Sequence, residues 1–335
     1  MTVSEHSPMG CTWQRYLDHV TNEHGGWTAL THTLMRRAGP WAGLPLDPGT
    51  IERGLRRLRS RGNASGGQYG RWLLEYFGVP QPLEETARWM GQYHGRFADL
   101  PLSLREAQLW LWDRPPITES PAACWIHLGL ASVAMRRRDP RAAGLRLAQA
   151  ADTARVDPAA HVESTLLEAR LESDAGRAGH ADQALARARS QIARLPQGGE
   201  RDCYHARWAD QRAFLLIHGG PQPRLSAAAR LYRSIDVRSP AAFARFRRDH
   251  GLAYCHWRLG DRDRASRHAR AAAEHAGDAG LLRFRVMALQ LLARVEPCEA
   301  ERLHSRADRI ISELEHADLA PPAPAPFVAV GPTRG

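Results

Sequence analysis

The residue types with chemical potential in this chain are arginine and histidine. Of 335 residues, 46 are basic and every one of them is Arg; with 36 acids the net charge is +10. The absence of Lys removes whole reaction classes. A P-loop needs a Lys on its phosphates, a kinase needs its strand Lys, and a Schiff base needs an amine. Arg offers a planar, permanently charged fork that fits carboxylates, phosphates and guanine edges. Sixteen His invite a search for metal or acid–base sites. Cys203-x-His205 and Cys255-His256 are close pairs, but neither has the repeated spacing of a zinc site. HExxH, GxSxG and a usable GxGxxG are all missing. Asp113 and Glu119 flank a Pro-Pro loop with nothing at a recognisable spacing to pair with. The chain therefore reads as non-enzymatic, with no catalytic residue, metal or cofactor expected.

Arginine is concentrated in one short stretch. Residues 36–71 hold eight Arg and two acids, a local +6, centred on DPGTIERGLRRLRSRG. Asp47 caps a helix that Pro48 opens, and Ile51, Leu55 and Leu58 form its apolar stripe. Thr50, Arg53, Arg56, Arg57 and Arg61 then remain for a charged face. The preceding helix, WTALTHTLMRRAG, carries its own stripe of Trp27, Leu30, Leu34 and Ala38. Two packed helices of which the second exposes Arg and a hydroxyl resemble a helix-turn-helix, and TIERGLRRLRSRG resembles the recognition helix of winged-helix regulators. The resemblance covers about 50 residues and departs at the long connection 39–46 and at NASGGQYG. It implies double-stranded DNA as a partner through Thr50, Arg53, Arg56, Arg57 and Arg61. The alternative is a solvated amphipathic helix.

A second set sits in RRDHGLAYCHWRLGDRDRASRHARAAAEHAGD, from Arg247 to Asp278. Leu252-Ala253, the turn Gly260-Asp261, and the small residues Ala265 and Ala272 stand where a tetratricopeptide repeat has its own, and the segment resembles that family. The frame recurs at Leu130-Ala131, Asp139-Pro140, Ala143 and Ala150; at Leu171, Gly179 and Ala184; and more loosely over 203–235 around Gly219-Gly220 and Ala228. Ala143, Ala184, Ala228 and Ala265 are 41, 44 and 37 residues apart, against ~34 in the family. The resemblance implies a right-handed α-solenoid with a concave inner surface lined by the first helix of each pair. On that helix Arg247, His250, Tyr254 and Trp257, with Arg258 beside them, form a cationic and aromatic face. Such a face suits an acidic or C-terminal-carboxylate peptide or a protein segment. Otherwise Tyr254 and Trp257 merely pack and the Arg are solvated.

The elements that carry these residues are helical. Ala, Leu, Arg and Glu dominate and no segment alternates like a strand. Asp47-Pro48, Ser120-Pro121, Asp139-Pro140, Asp157-Pro158 and Ser239-Pro240 read as helix starts, Ser103 with Glu106 as a capping box, and Gly39, Gly78 and Gly219-Gly220 as stops. These signals predict helices over 11–22, 27–38, 48–61, 69–77, 83–97, 104–112, 121–137, 140–155, 158–175, 181–195, 201–218, 224–235, 240–259, 262–276, 280–294 and 298–317. Eight of ten Trp lie at or before residue 125, so the front third has the bulkier core. The expected organisation is a Trp-rich helical domain over 1–118 with the helix-turn-helix-like segment at 27–77. A repeat array follows over 119–320, and a disordered Pro-rich tail over 321–335. Five scattered Cys form no disulfide framework, and no apolar run reaches the length of a membrane span. A cytoplasmic location without membrane contact is expected. The reading is a transcription regulator that binds DNA at its front and a peptide or protein in its array, with a second copy of the chain as a further partner. The runner-up is an interaction scaffold without DNA binding.

Overall fold

The computed structural model of the chain describes residues 10–40, 42–154 and 157–315; the Pro-rich segment expected over 321–335 lies outside them. Among the described residues the chain is all-α: sixteen helices, three short 3-10 turns and no strand. The front helices are α1 (Trp13–Glu23), α2 (Trp27–Ala38), α3 (Pro48–Arg59), α4 (Gly67–Phe77), α5 (Gln81–Gly91) and α6 (Leu102–Trp112). Next come α7 (Ala123–Arg136), α8 (Pro140–Ala154), α9 (Pro158–Asp174), α10 (Ala178–Ile192) and α11 (Gly199–His218). The last are α12 (Leu225–Arg233), α13 (Ala242–Arg258), α14 (Arg262–Asp278), α15 (Leu282–Val295) and α16 (Ala300–Leu314).

Aspartate before proline starts helices as the sequence predicts. Asp47 accepts from the main-chain N–H of Gly49 and Thr50 at 3.1 and 2.9 Å, and Asp157 accepts from those of Ala159 and Ala160. Asp139 accepts from Ala142 at 2.9 Å. Two serine signals fail. Ser120 donates back to the Ile117 carbonyl and α7 begins only at Ala123. Ser103 is already inside α6, where its N–H donates to Glu315 and Glu106 pairs with Arg137. A short hydroxyl near a helix start serves whichever acceptor lies closer, so the expected capping box does not form.

From α7 onward the packing has one rule. Helices pair as α7/α8, α9/α10, α11/α12, α13/α14 and α15/α16, and the first helix of each pair also packs on the first helix of the next. The second helices bury a narrow stripe of small residues: Ala143, Leu147, Ala150 and Ala154 on α8, and Ala265, Ala269, Ala272 and Ala276 on α14. Alanine spaced by three or four keeps two helix axes close, and the outward sides stay polar. The first helices are covered on most sides; α7 buries a continuous run from Ala123 to Ala134 except His127.

The front helices α1–α4 close over Trp13, Tyr16, Leu17, Leu30, Leu34, Ile51, Leu55 and Leu73, all fully buried. The indole N–H of Trp13 donates to the Ala64 carbonyl, and the Tyr16 hydroxyl contacts the carbonyls of Leu73 and Gly78. The helix expected over 83–97 is cut short: α5 ends at Gly91, and a 3-10 turn covers Arg96–Asp99. Gly91 sits at the break. A Cβ there would stand 2.3 Å from the main-chain oxygen of Trp125, so α5 lies directly on α7. The freed segment 92–99 then crosses to α15, where Asp99 accepts from the Arg283 main-chain N–H at 3.1 Å.

Gly91→Ala is expected to cost about 1–3 kcal/mol through overpacking, because the obstacle is backbone. Gly144→Ala, on α8 with nothing within 4 Å of its Cβ position, is expected to gain about 0.5–1 kcal/mol from helix propensity. Urea unfolding of both variants checks this, and equal midpoints for the two would contradict the close approach.

Candidate functional site

The first helices of successive pairs and the segment after α5 surround a cavity of about 390 Å³. Each of those five helices sends one arginine to its wall: Arg136 from α7, Arg170 from α9, Arg207 from α11, Arg247 from α13 and Arg283 from α15. They are 34, 37, 40 and 36 residues apart in the chain. Helix-pair packing thus repeats a cation at each step of the wall. The floor is Tyr93, brought in by the break after α5.

Among the described residues Arg207, Arg247 and Arg170 are seen tied to carboxylates. Arg207 Nη1 donates to Glu163 Oε2 at 2.5 Å, with the two side chains only 3% and 0% exposed. Arg247 pairs with Asp210 at 3.1 Å, and the Tyr232 hydroxyl donates to the other oxygen of that carboxylate. Arg170 donates to Asp174 at 2.8 Å from a half-exposed position. Arg283 differs. It is fully buried, its guanidinium lies 4.2 Å from the Tyr93 ring centroid and 4.3 Å from that of Phe284, and its Nη2 donates to the Tyr93 carbonyl. Burial draws its pKa down to about 10, which leaves it charged at neutral pH.

The charge density acts on the neutral groups. Burial raises the Tyr93 phenol, but Arg283, Arg247, Arg136 and Arg170 outweigh it and bring the pKa down to about 7. Arg207 stacks at 4.5 Å on the same ring. His250 is held down to about 4 by burial and then by Arg247, and His94 to about 3 by burial and then by Arg207, so both imidazoles are neutral at pH 7. The arrangement can hold an anion by charge-assisted hydrogen bonds and flank it with aromatic faces.

No family model, curated protein or solved structure matches this chain. Its site is therefore read from its own geometry. Of the residues expected to line a groove, Arg247, His250 and Tyr254 do reach the cavity. Trp257 is half-buried against the cluster formed by α14, α15 and α16, and Arg258 is exposed with its Nη1 donating to the Tyr254 hydroxyl. Both lie toward the C-terminal end of α13, past the last cavity-lining turn. Tyr93, Glu163, Arg170, Arg207 and Arg283 were not expected. The recurrence of Arg at the pair spacing is the sequence signal that points to the arginines; nothing local marks Tyr93.

The basic helix α3 presents a second surface. It packs on α1, α2 and α4 through Ile51, Leu55 and Leu58. Thr50, Arg53, Arg57 and Arg61 border a shallow hollow with residues 66–69. Gly54 lets Tyr69 close one side of it, because a Cβ there would sit 2.2 Å from the phenol ring. Arg53 and Arg57 are exposed to solvent. Thr50 is engaged: its hydroxyl donates to Asp47 at 2.6 Å and accepts from Arg53 at 2.9 Å. Those contacts, the Thr50 hydroxyl foremost, hold the Asp47 carboxyl below its ordinary pKa. Arg56 turns away to Glu52 and stacks 4.8 Å over Trp27, while Arg61 donates to the Ser65 carbonyl.

Among the described residues no group of three or more His, Cys, Asp or Glu could hold a metal ion. Burial pushes the thiols of Cys11, Cys124 and Cys203 up to about 12 and that of Cys255 to about 11, so none is a thiolate at neutral pH. No helix of the described chain is long and apolar enough to cross a membrane.

Proposed function

We propose that this chain is a non-enzymatic binding protein whose tetratricopeptide-like array holds an anionic segment of a peptide or protein in its concave cavity. The observation that carries the reading is the convergence of five arginines from five successive helix pairs on one cavity. Pairing of consecutive helices, with first helix against first helix, supports a solenoid of helix pairs over α7–α16. Neutral His250 in the cavity and the raised thiols of Cys11, Cys124, Cys203 and Cys255 favour binding over turnover. The test is binding of acidic peptides to the purified chain, measured by calorimetry, against the same peptides with their acids amidated. Equal affinity for both forms would remove the reading.

The front helices carry a second part of the proposal, favoured by the exposure of Arg53 and Arg57 beside Thr50 on one side of α3. In this reading α2 and α3 form the helix-turn-helix and α3 enters the major groove of duplex DNA. The protein is then a regulator in which cavity occupancy and DNA binding share one chain. Contact with DNA would redirect Arg53 from the Asp47–Thr50 cap to phosphate. Each phosphate contact contributes about 0.9 to the slope of log affinity against log salt. The double variant Arg53→Ala, Arg57→Ala is expected to lower that slope by about 2 and to weaken duplex binding by an order of magnitude or more. An unchanged salt slope would leave the scaffold reading, in which this face docks on protein or solvent.

A further inference from the structure

Between α1, α5 and α6 lies a groove of about 880 Å³, separate from the arginine-lined cavity. Leu104 and Trp112, about two turns apart on α6, line one side of it, with Trp89 of α5 and Phe97 of the 3-10 turn. Trp112 and Phe97 are buried, whereas Trp89 and Leu104 are 43% and 44% exposed. The Trp89 ring stands edge-on to Phe97 with centroids 5.0 Å apart, so packing fixes the exposed indole in place. The charged residues lining the groove among those described are Arg15 and Asp18, of opposite sign. An aromatic groove of this kind suits a neutral, extended segment and not an anion or DNA.

The chain itself carries such a segment. Residues 319–330, LAPPAPAPFVAV, follow α16, lie outside the described residues and hold no charge. Helix α16 closes at Leu314, and Glu315 after it takes a left-handed conformation at φ 54°. The Glu315 carboxylate accepts from the main-chain N–H of Ser103 at 3.1 Å, one residue before Leu104. Residue 316 therefore starts beside the Leu104 end of the groove. Pro321 is six residues past Glu315, within about 20 Å of extended chain. From Leu104 to Trp112 α6 advances about 12 Å, and Pro321–Pro326 covers about 16 Å as a polyproline helix. We propose that the stretch Pro321–Phe327 docks in this groove of its own chain as a polyproline helix, with its prolines against Trp89 and Leu104. The contact ties the end of the helix-pair array to α1, α5 and α6.

A polyproline helix makes no internal hydrogen bonds, so its carbonyls are open to an indole N–H while its rings lie on aromatic faces. The tether sets an effective concentration in the millimolar range, so a contact too weak to hold a free peptide holds this one. Residues 1–9 also run into the groove, at Gly10, but MTVSEHSPM has a single proline, an acid and no aromatic ring.

The experiment uses the full chain with an environment-sensitive fluorophore on Ala329→Cys in a Cys298→Ser background; the other four cysteines are buried. Emission is expected to be shifted to the blue of the labelled peptide 316–335 in water, at every protein concentration. Leu104→Glu alters an exposed side chain, so the fold stands, yet it puts a carboxylate on the docking wall. It is expected to lower the docked-to-free ratio at least about ten-fold. Pro324→Gly with Pro326→Gly leaves the described helices untouched and is expected to act the same way, by removing the polyproline bias. Water-like emission in the parent chain, or emission indifferent to either variant, overturns the proposal. A blue shift that grows with protein concentration gives the groove to a second copy and overturns it too. So does a fluorophore on Ser7→Cys that answers to Leu104→Glu while the one on Ala329→Cys does not, which assigns the groove to residues 1–9.

Discussion

Glu163→Leu is expected to destabilise the chain by about 3–5 kcal/mol, because it leaves the Arg207 guanidinium buried without its anion. The pair is enclosed on both sides, at 3% and 0% exposure and 2.5 Å apart. It also links α9 to α11, helices of neighbouring pairs, so its loss acts at an inter-pair contact and not within one hairpin. Leucine keeps most of the glutamate volume, which separates the charge effect from a cavity effect. The double variant Glu163→Leu, Arg207→Met removes both charges and is expected to recover most of the stability. Urea midpoints of the two singles and the double form the cycle. A single Glu163→Leu within about 0.5 kcal/mol of the parent chain would contradict an enclosed, mutually dependent pair.

Tyr93 is expected to ionise near pH 7, and Tyr93→Phe to erase that step from the absorbance titration at 295 nm. Of seven tyrosines, Tyr16, Tyr76, Tyr204 and Tyr232 are shifted the other way, burial leading in each case. The link to stability has a definite sign. The phenol is depressed from 10.0 unfolded to about 7 folded, so its contribution is fully present above pH 10. It declines as pH falls and is lost below about 7. The contribution of Tyr93 makes the chain more resistant to urea at pH 9 than the Phe variant, and the difference vanishes near pH 6. At 1.36 kcal/mol per pH unit the ceiling is about 4 kcal/mol, and water reaching the ring from the cavity keeps the gain below it. A near-neutral absorbance step that survives in Tyr93→Phe would assign it to another tyrosine.

Most of the helix pattern was legible in the sequence, for a local reason. Asp47, Asp139 and Asp157 cap through their own carboxylates a few residues away, so the signal and its structural result share one short stretch. The small residues Ala143, Ala184, Ala228 and Ala265, read as close-contact positions, are all fully buried. The failures came where a distant partner decides. Ser103 is taken by Glu315, more than 200 residues away, and α5 stops where Gly91 meets Trp125. The cavity was only half visible for the same reason. Arg247, His250 and Tyr254 share one helix face and could be read together, whereas Arg207, Arg283 and Tyr93 meet them only after folding. Arginine is also ordinarily a surface residue, so nothing in the composition separates the enclosed Arg105, Arg207 and Arg283 from the many solvated ones.

The short segment after α5 has a consequence for the history of the gene. It joins α7, through Gly91, to α15, through Asp99. A spring of helix pairs with free ends can lengthen or shorten by duplication or deletion of one unit. Here a stretch of fewer than ten residues links α7 to α15, and a helix pair inserted between them would pull Asp99 away from the Arg283 backbone and move arginines off the shared cavity wall. Insertion or loss of a helix pair between α7 and α15 is thus expected to be disfavoured by geometry, and sequence change is expected to be better tolerated on the polar outward sides of α8, α10, α12 and α14, which that link does not touch.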